Sequence, residues 1–334
     1  MLILGIDTSC DDTAAAVVAD GKQILSNIIS SQTDFHRKYG GIVPEIASRK
    51  HIELIIYVID DALKTADVTF DDLNAIAVTN RPGLIGSLLV GIAATKSIAY
   101  CYNLPLLDIN HIEGHIYANF LEHDDIPFPH VCLTVSGGNT LLVYVMNDWQ
   151  YELLGGTQDD AAGEAYDKVA QYLDLGFPGG PIIDRLAQSG NADNVNFPRP
   201  MLNSGDYNFS FSGLKTSVRY FVTKNLESNS LPPDEDIAAG FQQAVVDVLV
   251  SKTIRAAKAK NVSAVTLTGG VAANTKLRQA MSEAGELLGI RVYFPSRILC
   301  TDNAAMIAGV AYHKFLAGGR SGLDLNAQAS APLL

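Results

Sequence analysis

The chain has 334 residues, is 48% apolar and 18% charged, and carries a formal net charge of -12. These values exclude a disordered or fibrous chain and leave room for two cores. The acidic balance also excludes a free-standing nucleic-acid binder, whose affinity would come from neutralised phosphates.

In chain order, Leu2 to Asp7 predicts a strand, Thr8 to Asp12 a polar turn, and Thr13 to Val18 an apolar return strand. Residues 48–66 and 83–100 read as helices, with a strand at Asp72 to Val78 and an Asn80-Arg81-Pro82-Gly83 turn between them. The apolar stretch Leu88 to Tyr100 is broken by Lys96 and is too short to span a bilayer. Leu104 to Ile109 predicts a strand that leads into a histidine-bearing helix. The opening pattern then recurs: a strand at His130 to Val135, a Ser136-Gly137-Gly138-Asn139 turn, and a return at Thr140 to Val145. Two such hairpins about 130 residues apart suggest an internal duplication, each copy opening one α/β domain. A third glycine pair, Gly269-Gly270, follows the strand Ala264 to Leu267 and opens the helix Ala273 to Ala284. Lys252, Arg255, Lys258 and Lys260 share one helical stretch and read as a solvated face, as do Arg37 and Lys38. The tail from Gly318 is small and polar and is expected to pack loosely. Cys10, Cys101, Cys132 and Cys300 form no close pair, and no targeting segment is evident, which fits a reducing cytoplasm.

Two features carry chemistry. His111-Ile112-Glu113-Gly114-His115 sets two imidazoles at i and i+4, on one helix face, where both can meet one metal ion. Glu113 stands one position away from the general base of the protease motif His-Glu-x-x-His. Two surface or capping histidines are the alternative. The glycine pairs at strand ends let a backbone approach an anion closely. Together with the acidic first hairpin they suggest two domains gripping a nucleotide in a cleft.

Three segments resemble the phosphate-1, phosphate-2 and adenosine motifs of the actin-like ATPase superfamily shared with Hsp70 and sugar kinases. They are Gly5-Ile6-Asp7-Thr8-Ser9-Cys10-Asp11-Asp12-Thr13, Val135-Ser136-Gly137-Gly138, and Thr268-Gly269-Gly270-Val271-Ala272-Ala273-Asn274. Further segments extend from Gly40-Gly41-Ile42-Val43-Pro44-Glu45 through Asn110 to His115 and Gly163-Glu164-Ala165-Tyr166-Asp167-Lys168. Others are Phe177 to Pro181, Phe209 to Thr216 and Cys300-Thr301-Asp302-Asn303. From Gly5 to about Gly309 the chain resembles the TsaD family, tRNA threonylcarbamoyladenosine transferases once labelled glycoproteases.

The resemblance implies an α/β fold of two actin-like (ASKHA, ribonuclease H-like) domains with a cleft between them. The expected boundaries are 1–108, with a C-terminal helix at about 304–330 packing back on it, and 109–303 carrying the metal and nucleotide site. It implies transfer of threonylcarbamoyl from threonylcarbamoyl-AMP to the exocyclic amine of the adenosine 3′ of the anticodon, in tRNAs reading codons that begin with A. It implies one divalent metal, iron(II) or zinc, on His111, His115 and Asp302. Nucleotide contacts are implied at Thr134, Val135, Ser136, Gly137, Gly138, Asp167, Gly180, Asp184 and Asn274, where ATP or ADP can also sit. No strong nucleophilic side chain is required, because the donor is an activated anhydride that the adenine amine attacks with AMP as leaving group. Asp11, with Asp12 second, is expected to take the proton from the attacking amine. Expected partners are tRNA, a TsaB-like paralogue and a TsaE-like ATPase, the bacterial set, with no membrane.

The chain departs from the family in having Asn139 where histidine is usual, and Asp7 and Asp12 where glutamate is frequent. Asn139 cannot act as a cationic phosphate contact. Without the resemblance, Asp7, Asp11 and Asp12 could be turn residues, Asp167 and Lys168 an exposed pair, and Asp302 the cap of the helix Ala304 to Tyr312. The rival functions are a small-molecule kinase or ATPase of the same fold, a metalloprotease, and a non-catalytic scaffold. An exposed apolar face within 48–66, drawn from Ile52, Leu54, Ile55, Ile56, Val58, Ile59 and Leu63, is the expected partner surface.

Overall fold

The computed structural model describes all residues except 148, 149, 332 and 334. The chain forms two compact units: residues 1–124 with 295–334, and residues 125–294. This division differs from the expected boundaries. The helix carrying His111 and His115 belongs to the first unit, because its residues pack on elements of that unit's sheet and on the C-terminal helix.

In chain order the first unit holds β1 (Leu2–Asp7), β2 (Asp12–Ala19), β3 (Gln23–Ser31), α1 (Thr33–Arg37), α2 (Pro44–Ala66), β4 (Ala75–Arg81), α3 (Ile85–Tyr102), β5 (Leu106–Asn110) and α4 (His111–Ala118). The second unit holds β6 (His130–Val135), β7 (Thr140–Asn147), β8 (Gln150–Gly156), α5 (Ala162–Tyr172), α6 (Gly179–Ala187), α7 (Ser212–Glu227), α8 (Asp234–Ala259), β9 (Ala264–Thr268), α9 (Thr275–Glu286) and β10 (Arg291–Tyr293). The chain then returns to the first unit with α10 (Arg297–Cys300) and α11 (Ala304–Leu316).

The sheets repeat one plan. Their orders are β3-β2-β1-β4-β5 and β8-β7-β6-β9-β10. In each, the first three strands form an antiparallel meander and the last two run parallel to the middle strand. The duplicated hairpins of the sequence are thus β1–β2 and β6–β7. The third meander strands were not expected. Both β3 and β8 are edge strands, and edge strands carry polar residues and a weak apolar alternation.

Several boundaries move for local reasons. α2 begins at Pro44, four residues before the expected start, because proline is well suited to the first helical position. It ends where Asp67 turns left-handed at φ 54. β4 starts at Ala75 rather than Asp72, since the Asp72 carboxylate accepts the Thr69 N–H and hydroxyl at 2.8 Å and caps a short 3-10 turn. α3 runs 18 residues, the length of the expected helix 83–100 shifted by two. Although the apolar stretch Leu88 to Tyr100 alone is too short, the helix is long and apolar enough by length and composition to cross a membrane. Here Leu88, Ile92 and Ala99 instead join the core of the first unit with Leu4, Ile6, Val58 and Ile76. The tail is not loose. Ser321 bridges Leu106, Gln328 donates to the Asn80 carbonyl, and Gly83 donates to the Ala329 carbonyl.

In the basic stretch at the end of α8, expected to be a solvated face, only Lys258 is an exposed cation among the described residues. Lys252 is fully buried and donates to Ser204 Oγ at 2.9 Å and the Asp206 carbonyl at 3.1 Å, Arg255 bonds the same carbonyl, and Lys260 pairs with Glu152.

Candidate metal centre and nucleotide loop

The metal residues converge. α4 starts at His111 because the Asn110 side chain accepts the Ile112 N–H at 2.8 Å and caps it. One turn later His115 lies on the same face, with the two rings 4.6 Å apart. Asp302 comes from just before α11. It is not the cap of that helix: Asn303 is, accepting the Met306 N–H at 3.1 Å, so the Asp302 carboxylate is free for other work. Its Oδ1 lies 3.4 Å from His111 Nε2 and 3.2 Å from His115 Nε2. The three ligand atoms all lie within 4.8 Å of one another. Two imidazole nitrogens and one carboxylate oxygen are a donor set that suits iron(II) or zinc, and three protein ligands leave coordination positions open.

Two glycines bring α11 close enough. A Cβ on Gly5 would stand 2.5 Å from the Ala304 carbonyl oxygen, and one on Gly114 would stand 2.8 Å from Ile307 Cδ1. Glycine at both positions lets α11 lie against β1 and α4 and delivers Asp302 to the histidines.

The acidic hairpin lies beside this triad. Asp7, in the segment that resembles the phosphate-1 motif, does two jobs. Its Oδ1 accepts the Ser9 N–H at 3.0 Å, while Oδ2 faces His111 Nδ1 at 3.3 Å. A carboxylate behind a ligating imidazole fixes its tautomer and orientation. Burial works against a charge on His111, but Asp302 and Asp7 prevail and raise its pKa to about 10. His115 moves the other way, through burial and then the charge on His111, because two adjacent imidazoles do not both hold a proton. Burial also opposes the Asp302 charge, yet His111 and His115 hold it well below the usual carboxylate range. Burial and then the Asp302 charge push Asp11 up to about 6; burial, Asp302 and Asp11 push Asp12 up to about 7. Both are tuned toward the range in which a carboxylate serves as a base near neutral pH. Glu113 points to other company: burial raises its pKa while Lys314 and Arg81 lower it.

The nucleotide residues expected from the sequence all lie in the second unit. Thr134 and Val135 end β6, and Ser136 closes the turn to β7 by exchanging hydrogen bonds with Asn139. Gly137 and Gly138 are exposed, neither has positive φ, and a Cβ on either would meet nothing within 4 Å. Packing does not demand glycine there, so open approach to the backbone is what the pair provides. The start of α5 meets the turn, with Gly163 donating to the Ser136 carbonyl at 3.1 Å. Gly269, at φ 89, brings the turn after β9 against the Val135 carbonyl. Asp167 accepts the Gly179 N–H at 2.8 Å, beside Gly180, whose Cβ position is open. Asp184 accepts the Thr275 N–H and hydroxyl at the head of α9. Asn274 is already engaged: its amide donates to Gln242 at 2.7 Å and its oxygen caps α9 through Leu277.

Comparisons with known proteins agree in direction. The family model described as tRNA N6-adenosine threonylcarbamoyltransferase matches residues 23–309. A tRNA N6-adenosine threonylcarbamoyltransferase of Clostridium perfringens (strain SM101 / Type A) is 51% identical over 332 residues, covering 99% of this chain and 98% of its own. That of Symbiobacterium thermophilum is 55% identical over 326 residues, covering 98% and 95%. Among solved structures, component A of the Acidaminococcus fermentans (R)-2-hydroxyglutaryl-CoA dehydratase has a TM-score of 0.58 at 18% identity, covering 94% of this chain and 98% of that one. Full-length HypF has a TM-score of 0.61 at 15% identity, covering 99% of this chain and 47% of that one. These last two likenesses show the actin-like fold alone.

Proposed function

The chain belongs to the tRNA N6-adenosine threonylcarbamoyltransferase family and transfers threonylcarbamoyl to adenosine in tRNA, and we propose that His111, His115 and Asp302 hold the divalent metal of that reaction. The observation that carries this is the convergence of His111, His115 and Asp302, with one ligand atom from each within 4.8 Å of the other two. A divalent metal bound there, iron(II) or zinc, supplies a Lewis acid for the carbonyl under attack.

The donor is threonylcarbamoyl-AMP and the acceptor the adenosine 3′ of the anticodon in tRNAs reading codons that begin with A. The N6 amine forms a bond to the carbamoyl carbon, the bond from that carbon to the phosphate oxygen breaks, and AMP leaves. The N6 proton passes to the Asp11 carboxylate, or to Asp12, two largely buried carboxylates beside Asp302 whose burial favours taking up a proton. The phosphate sits on Ser136 and the amides of Gly137 and Gly138, a turn with open space at the Cβ position of both glycines. ATP or ADP can occupy the same loop. The kinase alternative gains no support from the family match.

A TsaB-like paralogue docks on α2, where Ile52, Ile56 and Tyr57 are 64%, 71% and 70% exposed. Ile55, Val58, Ile59 and Leu63 are core and Leu54 half-buried, so they contribute little to it. A TsaE-like ATPase completes the set, and the reaction runs in the cytoplasm, where its tRNA is.

Metal analysis of the purified chain, with transfer assays on unmodified tRNA, tests the proposal. One divalent metal per chain is expected, and its loss in the double variant His111→Ala, His115→Ala. Full occupancy in that variant overturns the assignment.

A further inference from the structure

His51 lies in α2 and Thr13 in β2, and both are fully buried. His51 Nδ1 is 2.7 Å from Thr13 Oγ1, and Nε2 is 3.0 Å from the Cys10 carbonyl oxygen. A carbonyl only accepts, so Nε2 bears the hydrogen and Nδ1 accepts from the threonine hydroxyl. One tautomer satisfies the whole ring. Burial lowers the pKa of the imidazole and keeps it neutral. The two residues it grips, Cys10 and Thr13, bracket Asp11 and Asp12. From the other side, Gln32 N–H bonds the Asp11 carbonyl at 3.2 Å, and Asp12 pairs with Ser31 in the sheet. A merely space-filling site inside a helix is met more cheaply by an apolar side chain, since a buried ring nitrogen without a partner is unfavourable.

We infer that His51 is a positioning residue that clamps both ends of the Cys10–Thr13 turn and so aims the Asp11 and Asp12 carboxylates. This rests on the proposed use of one of those carboxylates as the base. The clamp joins an element of the sheet to a helix 38 residues further along the chain. It acts on the turn and not on the metal, whose ligands lie elsewhere.

The test uses the full chain, metal-loaded and assayed with its accessory proteins. Thr13→Val removes the hydroxyl donor with little change of shape, His51→Gln keeps at most one of the two hydrogen bonds, and Thr13→Ser restores the donor. Thr13→Val and His51→Gln are expected to lower kcat about tenfold to a hundredfold, the scale of a misaimed group. KM for tRNA and metal content should stay at wild-type values, and Thr13→Ser should recover most of kcat. Nitrogen-15 NMR of the imidazole should show the Nε2–H tautomer in the wild type. Wild-type kcat in folded Thr13→Val and His51→Gln, or a loss that merely follows metal content, overturns the inference. Asp11→Asn and Asp12→Asn separate the two ideas. If one of them is inactive while the clamp variants are fully active, the clamp is wrong and the base stands. If both are fully active, the base is wrong, and any loss in the clamp variants has another origin, which also overturns the inference.

Discussion

At the scale of single residues, the metal centre makes the sharpest predictions. Replacing His111, His115 or Asp302 by alanine should remove the metal and lower transfer by more than about a hundredfold, the upper range for loss of a group that only supports a ligand. Circular dichroism should show the fold retained. Protonation gives a second check. Asp11 and Asp12 rise from 3.8 to about 6 and about 7, and His111 rises from 6.5 to about 10. In each case the folded, metal-free chain holds a proton that the unfolded chain has released. Stability of that form should therefore fall as pH rises, through about 4 to 7 for the carboxylates and 6.5 to 10 for the histidine. Metal affinity should climb over the same span, because binding expels the His111 proton. Burial lowers the pKa of His36, His51, His115 and His130, which adds stability as pH rises toward 6.5, so the check is made above that range. Melting curves of the chelated protein at pH 7.5 and pH 10 supply it; a higher melting temperature at pH 10 would refute the His111 effect. Gly137→Val is the nucleotide counterpart. Nothing within 4 Å opposes its side chain, so binding of AMP-containing ligands should weaken at unchanged thermal stability. The histidine pair was legible in the sequence through its i, i+4 spacing. The second duty of Asp7 and the clamp by His51 were not, because each depends on a contact between segments far apart in the chain.

Among the elements, α11 and α2 carry the most consequence. Gly5 admits α11 to the sheet, and a Cβ there meets backbone atoms that cannot swing aside. Gly5→Ala should destabilise the first unit by about 1–3 kcal/mol. It should also weaken metal binding, since Asp302 precedes that helix by two residues; calorimetry and metal titration read the two effects. α2 should tolerate the opposite kind of change. Ile52→Glu and Ile56→Glu, on its open face, should abolish co-purification with a TsaB-like partner while the melting temperature holds within a few degrees. Retained complex in the double variant would place the partner elsewhere. The apolar periodicity of α2 was readable, yet it could not say which isoleucines the sheet would cover. Edge strands β3 and β8 escaped notice because half-buried edges lack a clean alternation. The tail reads as loose in the sequence because it is held by backbone hydrogen bonds, which leave no mark on side-chain pattern.

For the molecule as a whole, the net charge of -12 opposes a phosphate backbone. Of the cations in and just after α8, Lys252 and Arg255 are occupied with Asp206 and Lys260 with Glu152, which leaves Lys258 exposed. The isolated chain should bind tRNA weakly, with accessory proteins raising the affinity, a difference that filter binding at two salt concentrations would measure. The two sheets were visible in the repeated hairpins, but the division between units was not, since the sequence does not say that α4 stays with the first sheet. That division orders events during synthesis. The second unit is one unbroken run, 125–294, interrupting the first, whose last elements come only afterwards. A growing polypeptide therefore exposes everything the second unit needs while Asp302 is still inside the ribosome, and domains tend to fold as they emerge. A released chain truncated after residue 294 should resist protease over 125–294 yet take up no metal. The two histidines wait, and the centre closes only when the final forty residues arrive.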